Sequence, residues 1–515
     1  MRQTLIRGVL SVVLALNAAW LQGAENDAGA PTPPAATSRP TAPVVTQHAI
    51  TLSGQKLAYT ATAGYMPITD DAGKVQANIF YVAYVRQDAG SGSPRPITFA
   101  FNGGPGASSM WLHLGVGPKR VPLAADGTAL PSSTVLSDNE ATWLGFTDLV
   151  FVDPIGTGFS RAAEGVDARQ FYEVSRDIQV AGSFVRRYVT QYQRWLSPKL
   201  ILGESYGTTR AAGLVNRLQD TAGIDINGVI LVSSALDFQT FTFDGANDLP
   251  HALVLPSLAA TAWYHKKLQG TLQADLTETL RRAENWALNE YLLALSKGEA
   301  MSDTQRAEIT QQMAQFTGLA QSELTRNRLR VGPLRFDKLL LRDDGRIAGR
   351  FDGRVTSADP SPGSDYVESD PSFFLITAPL VAALNHYLQL DLQFRTDMRY
   401  EFLSKEVNHS WKWLSGGQGY VYVADELAEA MSRDHRLRVF AGAGYFDLAT
   451  PYLSQRYTFD HMGLARNLRS HLTFKSYPTG HQIYTDPASA LKLKEDVEAF
   501  VQCAAFARQC ADTGQ

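Results

Sequence analysis

The sequence predicts an α/β fold: a doubly wound, mainly parallel sheet with N-terminal antiparallel strands and an inserted helical cap. Short apolar runs (PITFAF, DLVFVD, KLILG, GVILVSS) alternate with glycine-rich loops and helix-period stretches, as in a parallel sheet built from β-loop-α units. Before them, KLAYTATAGYM and ANIFYVAYV flank the turn DDAGK and alternate apolar with polar residues, as antiparallel strands do. After them, from about Leu249 to Gly416, helical stretches such as LTETLRRAENWALNEYLLAL and DTQRAEITQQMAQFTGLAQSEL take over until LRVFAG and LTFKSY restore the strand pattern.

Taken in order, residues 1–24 place Arg2 and Arg7 before an apolar run from Gly8 to Leu21 and small residues at Gly23 and Ala24, the layout of a cleaved secretory signal peptide. The run is shorter than the ~20 residues of a bilayer-spanning helix, and no later segment reads as long and apolar enough to be one. Stable membrane insertion after cleavage is therefore not expected. Residues 25–47, rich in Pro, Ala and Thr, lack the large apolar side chains that would offset ordering and read as a flexible leader. Residues 48–515 then form one domain, with the helical insertion at about 249–416.

The 515 residues are 44% hydrophobic and 19% charged with a net charge of −4, a balance that disfavours nucleic acid as a partner. Only two cysteines occur, Cys503 and Cys510. On an unbroken helix their Cα atoms would lie roughly 10 Å apart, too far for a bridge, so pairing requires the last helix to end between them. The sequence leaves both outcomes open, and it leaves the oligomeric state open as well.

GESYG, Gly203 to Gly207, fits G-x-S-x-G directly after the strand KLIL and before the helical stretch TTRAAGLVNRL. That context makes Ser205 a nucleophile on a sharp strand-to-helix turn. A serine hydroxyl needs a base to take its proton, and the hydrolase order is Ser, Asp, His. Asp447 follows the strand LRVFA, and His481 follows LTFKSY in YPTGHQIY, both at strand C-terminal ends where catalytic groups gather. The competing histidines fit less well: His471 opens a strand, His461 lies in a helical stretch, and His265, His386 and His409 fall in the insertion. FNGGPGASS follows PITFAF, and its glycines let the backbone aim N–H groups at a substrate, which makes Gly104 N–H and Tyr206 N–H the expected oxyanion donors. No cluster at metal-ligand spacing occurs, and no cofactor is implied.

NGGPGASS, DPIGTGFS (Asp153 to Ser160), GESYG, the Asp447 loop and Gly480-His481 run in one order from about residue 98 to 485. Together they resemble the serine carboxypeptidase family of α/β-hydrolases, in a bacterial-type exported form. The resemblance implies hydrolysis of C-terminal residues from peptides through an acyl-enzyme on Ser205, with the free C-terminus as the recognised feature. It also implies that Asn102 and Glu204, with Gly103 beside them, hold the substrate's terminal carboxylate. Glu204 could do so only when protonated, because two like charges in a desolvated site repel, so binding should be better at acid pH. Glu204 could instead be a structural acceptor for backbone N–H groups.

The sequence departs from the family pattern where tryptophan, cysteine and a second carboxylate-binding glutamate are usual. Ala100, Ala107 and Gly115 stand there, and Asp153 is followed directly by Pro154. These departures keep open an esterase or acyltransferase using the same three residues. A noncatalytic binding protein on the same scaffold is the remaining alternative, although Ser205, Asp447 and His481 are all retained.

Overall fold

A computed structural model describes residues 42–87, 94–130, 135–245, 247–414 and 419–507. The expected signal peptide, most of the expected leader, Cys510 and the end of the expected cap lie outside the described residues. Ten strands form the main sheet: β1 Val44–Leu52, β2 Gln55–Thr69, β3 Val75–Arg86, β4 Ile97–Phe101, β5 Asp148–Val152, β6 Arg161–Ala162, β7 Lys199–Glu204, β8 Gly228–Val232, β9 Arg438–Gly444 and β10 Leu472–Tyr477. Their order is β1-β2-β3-β5-β4-β7-β8-β9-β10, with the short β6 pairing off the path with β3. From β5 through β10 every neighbouring pair is parallel, whereas β1, β2 and β3 form an antiparallel meander that joins β5.

The DDAGK turn closes the β2–β3 hairpin as its composition predicts: Asp70 Oδ1 accepts from the N–H groups of Ala72 and Lys74, and Gly73 takes φ +82°. The first strand begins at Val44, four residues ahead of the expected boundary, because Val44 to Gln47 continue the register and pair with Ala63 to Thr60.

The central strands are buried throughout because helices cover both faces, and are mostly apolar accordingly. On one face Leu200, Leu202, Ile230 and Val232 pack with α1 (Met110–Val116), α7 (Pro371–His386) and α10 (Pro487–Phe506). On the other, Ile201, Val229 and Leu231 pack with α2 (Val174–Gln191), α3 (Tyr206–Ala222), α8 (Ala424–Arg433) and α9 (Tyr452–His461). The chain between β8 and β9 includes α4 (Leu249–Tyr264), α5 (Leu276–Trp286) and α6 (Asp303–Thr317), which bury an apolar cluster of their own around Leu255, Leu258, Trp286 and Phe316. Gly318, at φ +69°, ends α6 inside what the sequence shows as one long helical run.

Pro371–Asp391 is long and apolar enough to cross a membrane by length and composition, which corrects the expectation that no later segment is. Ser372, Thr377, Asn385 and His386 interrupt the apolar run in sequence, and it reaches that length because a π turn, Tyr387–Asp391, extends α7. Ile376, Leu380, Leu384 and Leu388 of this helix pack into the core. Helix α10 ends at Phe506, between the two cysteines, and Cys503 is disulfide-bonded.

Candidate active site

Ser205 occupies the turn between β7 and α3 at φ +57°, ψ −130°, outside the regions that L-residues favour. The flanking glycines permit this: a Cβ on Gly203 would come within 2.6 Å of the Gly207 carbonyl carbon, and one on Gly207 would meet the Asn102 carbonyl oxygen at 3.0 Å. Ser205 N–H donates to the Val232 carbonyl at 3.0 Å, which ties the turn to the adjacent strand. The N–H of Tyr206 then opens a 17-residue helix, at the positive end of its dipole.

The loop after β4 lies directly against this turn, since a Cβ on Gly103 would sit 2.6 Å from Tyr206 N. Gly104 takes φ +101°, a conformation open to glycine. Asn102 is buried and its amide orientation is fixed: Oδ1 accepts from Leu112 N–H at 3.1 Å, leaving Nδ2 to donate to Glu204 Oε1 at 2.9 Å. Its carbonyl accepts from Arg210 Nη1 at 2.8 Å, and Arg210 Nε donates at 2.8 Å to Asp177 on α2.

Asp447 and His481 sit in the loops after β9 and β10, and both are buried. His481 Nδ1 is 2.8 Å from Asp447 Oδ2, which also accepts from Thr450 Oγ1 at 2.7 Å. Asp447 Oδ1 accepts from the N–H groups of Ala449 and Thr450 at 2.8 and 3.0 Å, so the carboxylate faces the imidazole with its other demands met. Burial pulls the imidazole's pKa down, but the charge and hydrogen bond of Asp447, with Glu204 adding to them, leave it above the ordinary value.

Asn102, Gly103, Gly104, Glu204, Ser205, Tyr206 and His481 line one cavity of about 460 Å³, walled by aromatic residues including Trp111, Phe238, Phe373 and Trp413. His481 is the histidine in that wall, and the five competitors are elsewhere. Glu204 is buried at the cavity floor. Burial, opposed by His481 and by bonds from Tyr484 and Asn102, pushes its carboxyl up to about 7. Among the described residues no group of three His, Cys, Asp or Glu side chains is placed to hold a metal.

Three contributors lack a sequence signal. Tyr484 hydrogen-bonds through its hydroxyl to Glu204 Oε2, and its ring fills the space beside Gly115, where a Cβ would come within 2.6 Å of ring carbons. Arg210 braces the Asn102 loop from α3. The loop at 349–355, inside the insertion, supports both acid–base loops: Phe351 O accepts from His481 N–H at 2.6 Å, Arg350 O from Leu448 N–H at 3.0 Å, and Asp352 Oδ2 from Gly480 N–H at 3.1 Å. The G-x-S-x-G pattern locates Ser205, but nothing in the spacing of GRFDGRV announces that it will meet YPTGH.

A mainly parallel sheet with a serine on a β-to-α elbow, and with aspartate and histidine after its last two strands, defines the chain as an α/β-hydrolase. Residues 52–485 match the family model described as serine carboxypeptidase, and the chain belongs to that family. The pheromone-processing carboxypeptidase KEX1 of Saccharomyces cerevisiae (strain JAY291) is 34% identical over 156 residues, 28% of this chain and 20% of that protein. KEX1 of Yarrowia lipolytica is 27% identical over 232 residues, 44% of this chain and 34% of that protein. Serine carboxypeptidase-like 45 of Arabidopsis thaliana is 29% identical over 161 residues, 30% of this chain and 31% of that protein. The chain thus spans a fifth to a third of the length of these curated relatives. The crystal structure of KEX1ΔP, a prohormone-processing carboxypeptidase from S. cerevisiae, shares the fold at a TM-score of 0.54 and 17% identity, covering 86% of this chain and 91% of that one.

Proposed function

We propose that the protein is an exported serine carboxypeptidase, periplasmic or secreted, that removes residues from the free C-termini of peptides. In this reading His481 takes the proton from Ser205 Oγ as the oxygen attacks the scissile carbonyl, and Asp447 orients and charge-stabilises the imidazolium. The N–H groups of Gly104 and Tyr206 receive the oxyanion. His481 returns the proton to the leaving amine, and water then hydrolyses the acyl-Ser205 ester. Asn102, Gly103 and Glu204 hold the terminal carboxylate, and the insertion acts as a cap whose aromatic residues contact the substrate's side chains.

The carrying observation is Glu204, buried in the same cavity as Ser205 and held by Asn102 and Tyr484, with its proton retained up to about pH 7. A carboxylic acid can donate to a substrate carboxylate, whereas its ionised form repels one. The proton must leave His481 for catalysis and stay on Glu204 for binding. The two groups interact and titrate as a pair, so kcat/KM for a free-acid peptide should rise and then fall near neutrality.

The test is mass spectrometry of the mature protein with an N-blocked peptide and its C-terminally amidated twin from pH 4 to 8. The expected result is stepwise loss of C-terminal residues from the free acid, little from the amide, and a KM that climbs as pH passes about 7. Ser205→Ala should lower turnover on the order of a millionfold. Cleavage of simple esters with neither peptide cut would replace this reading with an esterase or acyltransferase, which the aromatic wall would also suit.

A further inference from the structure

The cavity wall contains a cation that the reaction as described leaves unused. Arg350 is the only arginine or lysine among the described residues lining it. Its main chain is fixed on both sides: its N–H donates to Asp370 Oδ2 at 3.1 Å, and its carbonyl accepts from Leu448 N–H. The guanidinium lies over the Phe351 ring, 5.6 Å from the centroid, and its charge is felt at His481. The side chain is only part-buried. No side-chain hydrogen bond or ion pair engages it among the described residues, although the arginines at 354, 330 and 210 each have a carboxylate partner.

The acids near Arg350 do not occupy it. Asp370 also lines the cavity, but its oxygens already accept from Ser372 N–H, Ser372 Oγ, Arg350 N–H and Phe351 N–H. The Asp337 carboxyl makes no hydrogen bond, and burial, with Asp370 adding to it and the Arg350 charge opposing, holds it well above the usual range. Glu204 is taken up by Asn102 and Tyr484. An arginine fork without an acceptor, fixed by its backbone in an aromatic-walled cavity, is suited to bidentate binding of a carboxylate.

We propose that Arg350 is an anion-binding residue of the cavity whose guanidinium receives a carboxylate of the substrate. The carboxylate comes either from an acidic side chain beside the scissile bond or from the C-terminus itself. The inference rests on the peptidase reading of the Ser205 cavity and adds a permanent positive charge to it. An arginine guanidinium is a cation at pH 8, where Glu204 has given up its proton, so this contribution should persist there.

The test is calorimetric titration of the Ser205→Ala protein at pH 8 with N-blocked Leu-Leu and Glu-Glu dipeptides, each as free acid and amide. The same titrations follow in backgrounds carrying Arg350→Gln or Arg350→Lys. Arg350→Gln should weaken the anionic ligands by roughly tenfold or more, leave Leu-Leu amide unchanged, and be partly restored by Arg350→Lys. A loss that follows the glutamate side chains regardless of amidation assigns the site to acidic side chains. One that follows the free C-terminus regardless of side chain assigns it to the terminal carboxylate.

Equal factors for all four ligands would overturn the proposal. Titration with glutarate separates this outcome from failure of the peptidase reading, because glutarate needs no peptide recognition. If glutarate binds and Arg350→Gln abolishes it while no peptide discriminates acid from amide even at pH 5, where Glu204 keeps its proton, the anion site stands and the carboxypeptidase reading falls. If glutarate does not bind and Arg350→Gln discriminates no ligand, Arg350 has no such role. The hydrogen bonds of Arg350 are made by its backbone, so Arg350→Gln should melt within a few degrees of the parent, and Arg350→Lys serves as the second folded variant.

Discussion

Glu204, 3% exposed at the cavity wall, accepts hydrogen bonds from Asn102 Nδ2 and from the phenol of Tyr484. Donation from Tyr484 stabilises the carboxylate, so removing it should raise the value at which Glu204 ionises. Tyr484→Phe is therefore expected to carry the alkaline limb of kcat/KM for a free-acid peptide to higher pH, with the ester profile unmoved. A purely structural role for Tyr484 would lower the melting temperature and leave both limbs in place. The same proton affects stability with a defined sign. The folded value of about 7 exceeds the ordinary 4.5, so this contribution is full below the ordinary value and is lost as pH rises through about 7.

At the scale of elements, Gly115 on α1 and Tyr484, just before α10, interlock. Gly115→Ala should cost ~1–3 kcal/mol through overpacking, read by denaturant unfolding. That cost should largely vanish in a Tyr484→Ala background, because the two changes share one contact. Equal costs in both backgrounds would mean that the ring is not what Gly115 accommodates. The sequence marks Gly115 as a position where an acidic side chain is missing, but it gives no hint that a ring from a distant segment fills the gap. Ser205, Asp447 and His481 were legible because each sits on a loop whose strand has its own apolar pattern. Tyr484, Arg210 and the 349–355 loop were not, since their roles arise only where segments far apart in the chain come into contact. The first strand was misplaced by four residues because Val44 to Gln47 look like leader until paired with β2.

On the whole-molecule scale, strands β8 and β9 are hydrogen-bonded neighbours although residues 233–437 separate them in the chain. Ser205 precedes that long excursion, and Asp447 and His481 follow it. Holding the three together therefore depends on lateral pairing between strands, and on the 349–355 loop, rather than on the peptide bonds of the excursion. Residues around 359–370 run over the surface between the Thr356–Ala358 strand and α7, with Pro362 and Gly363 exposed. The protein should therefore tolerate being made as two polypeptides. Co-expressed pieces divided between Gly363 and Ser364 are expected to co-elute on gel filtration and to retain a Ser205 that reacts with an organophosphate, and separation of the pieces would show that covalent continuity is needed there. If they do associate, the enzyme can be assembled on demand, with Ser205 stored on one chain and Asp447 and His481 on the other, each inert until they meet.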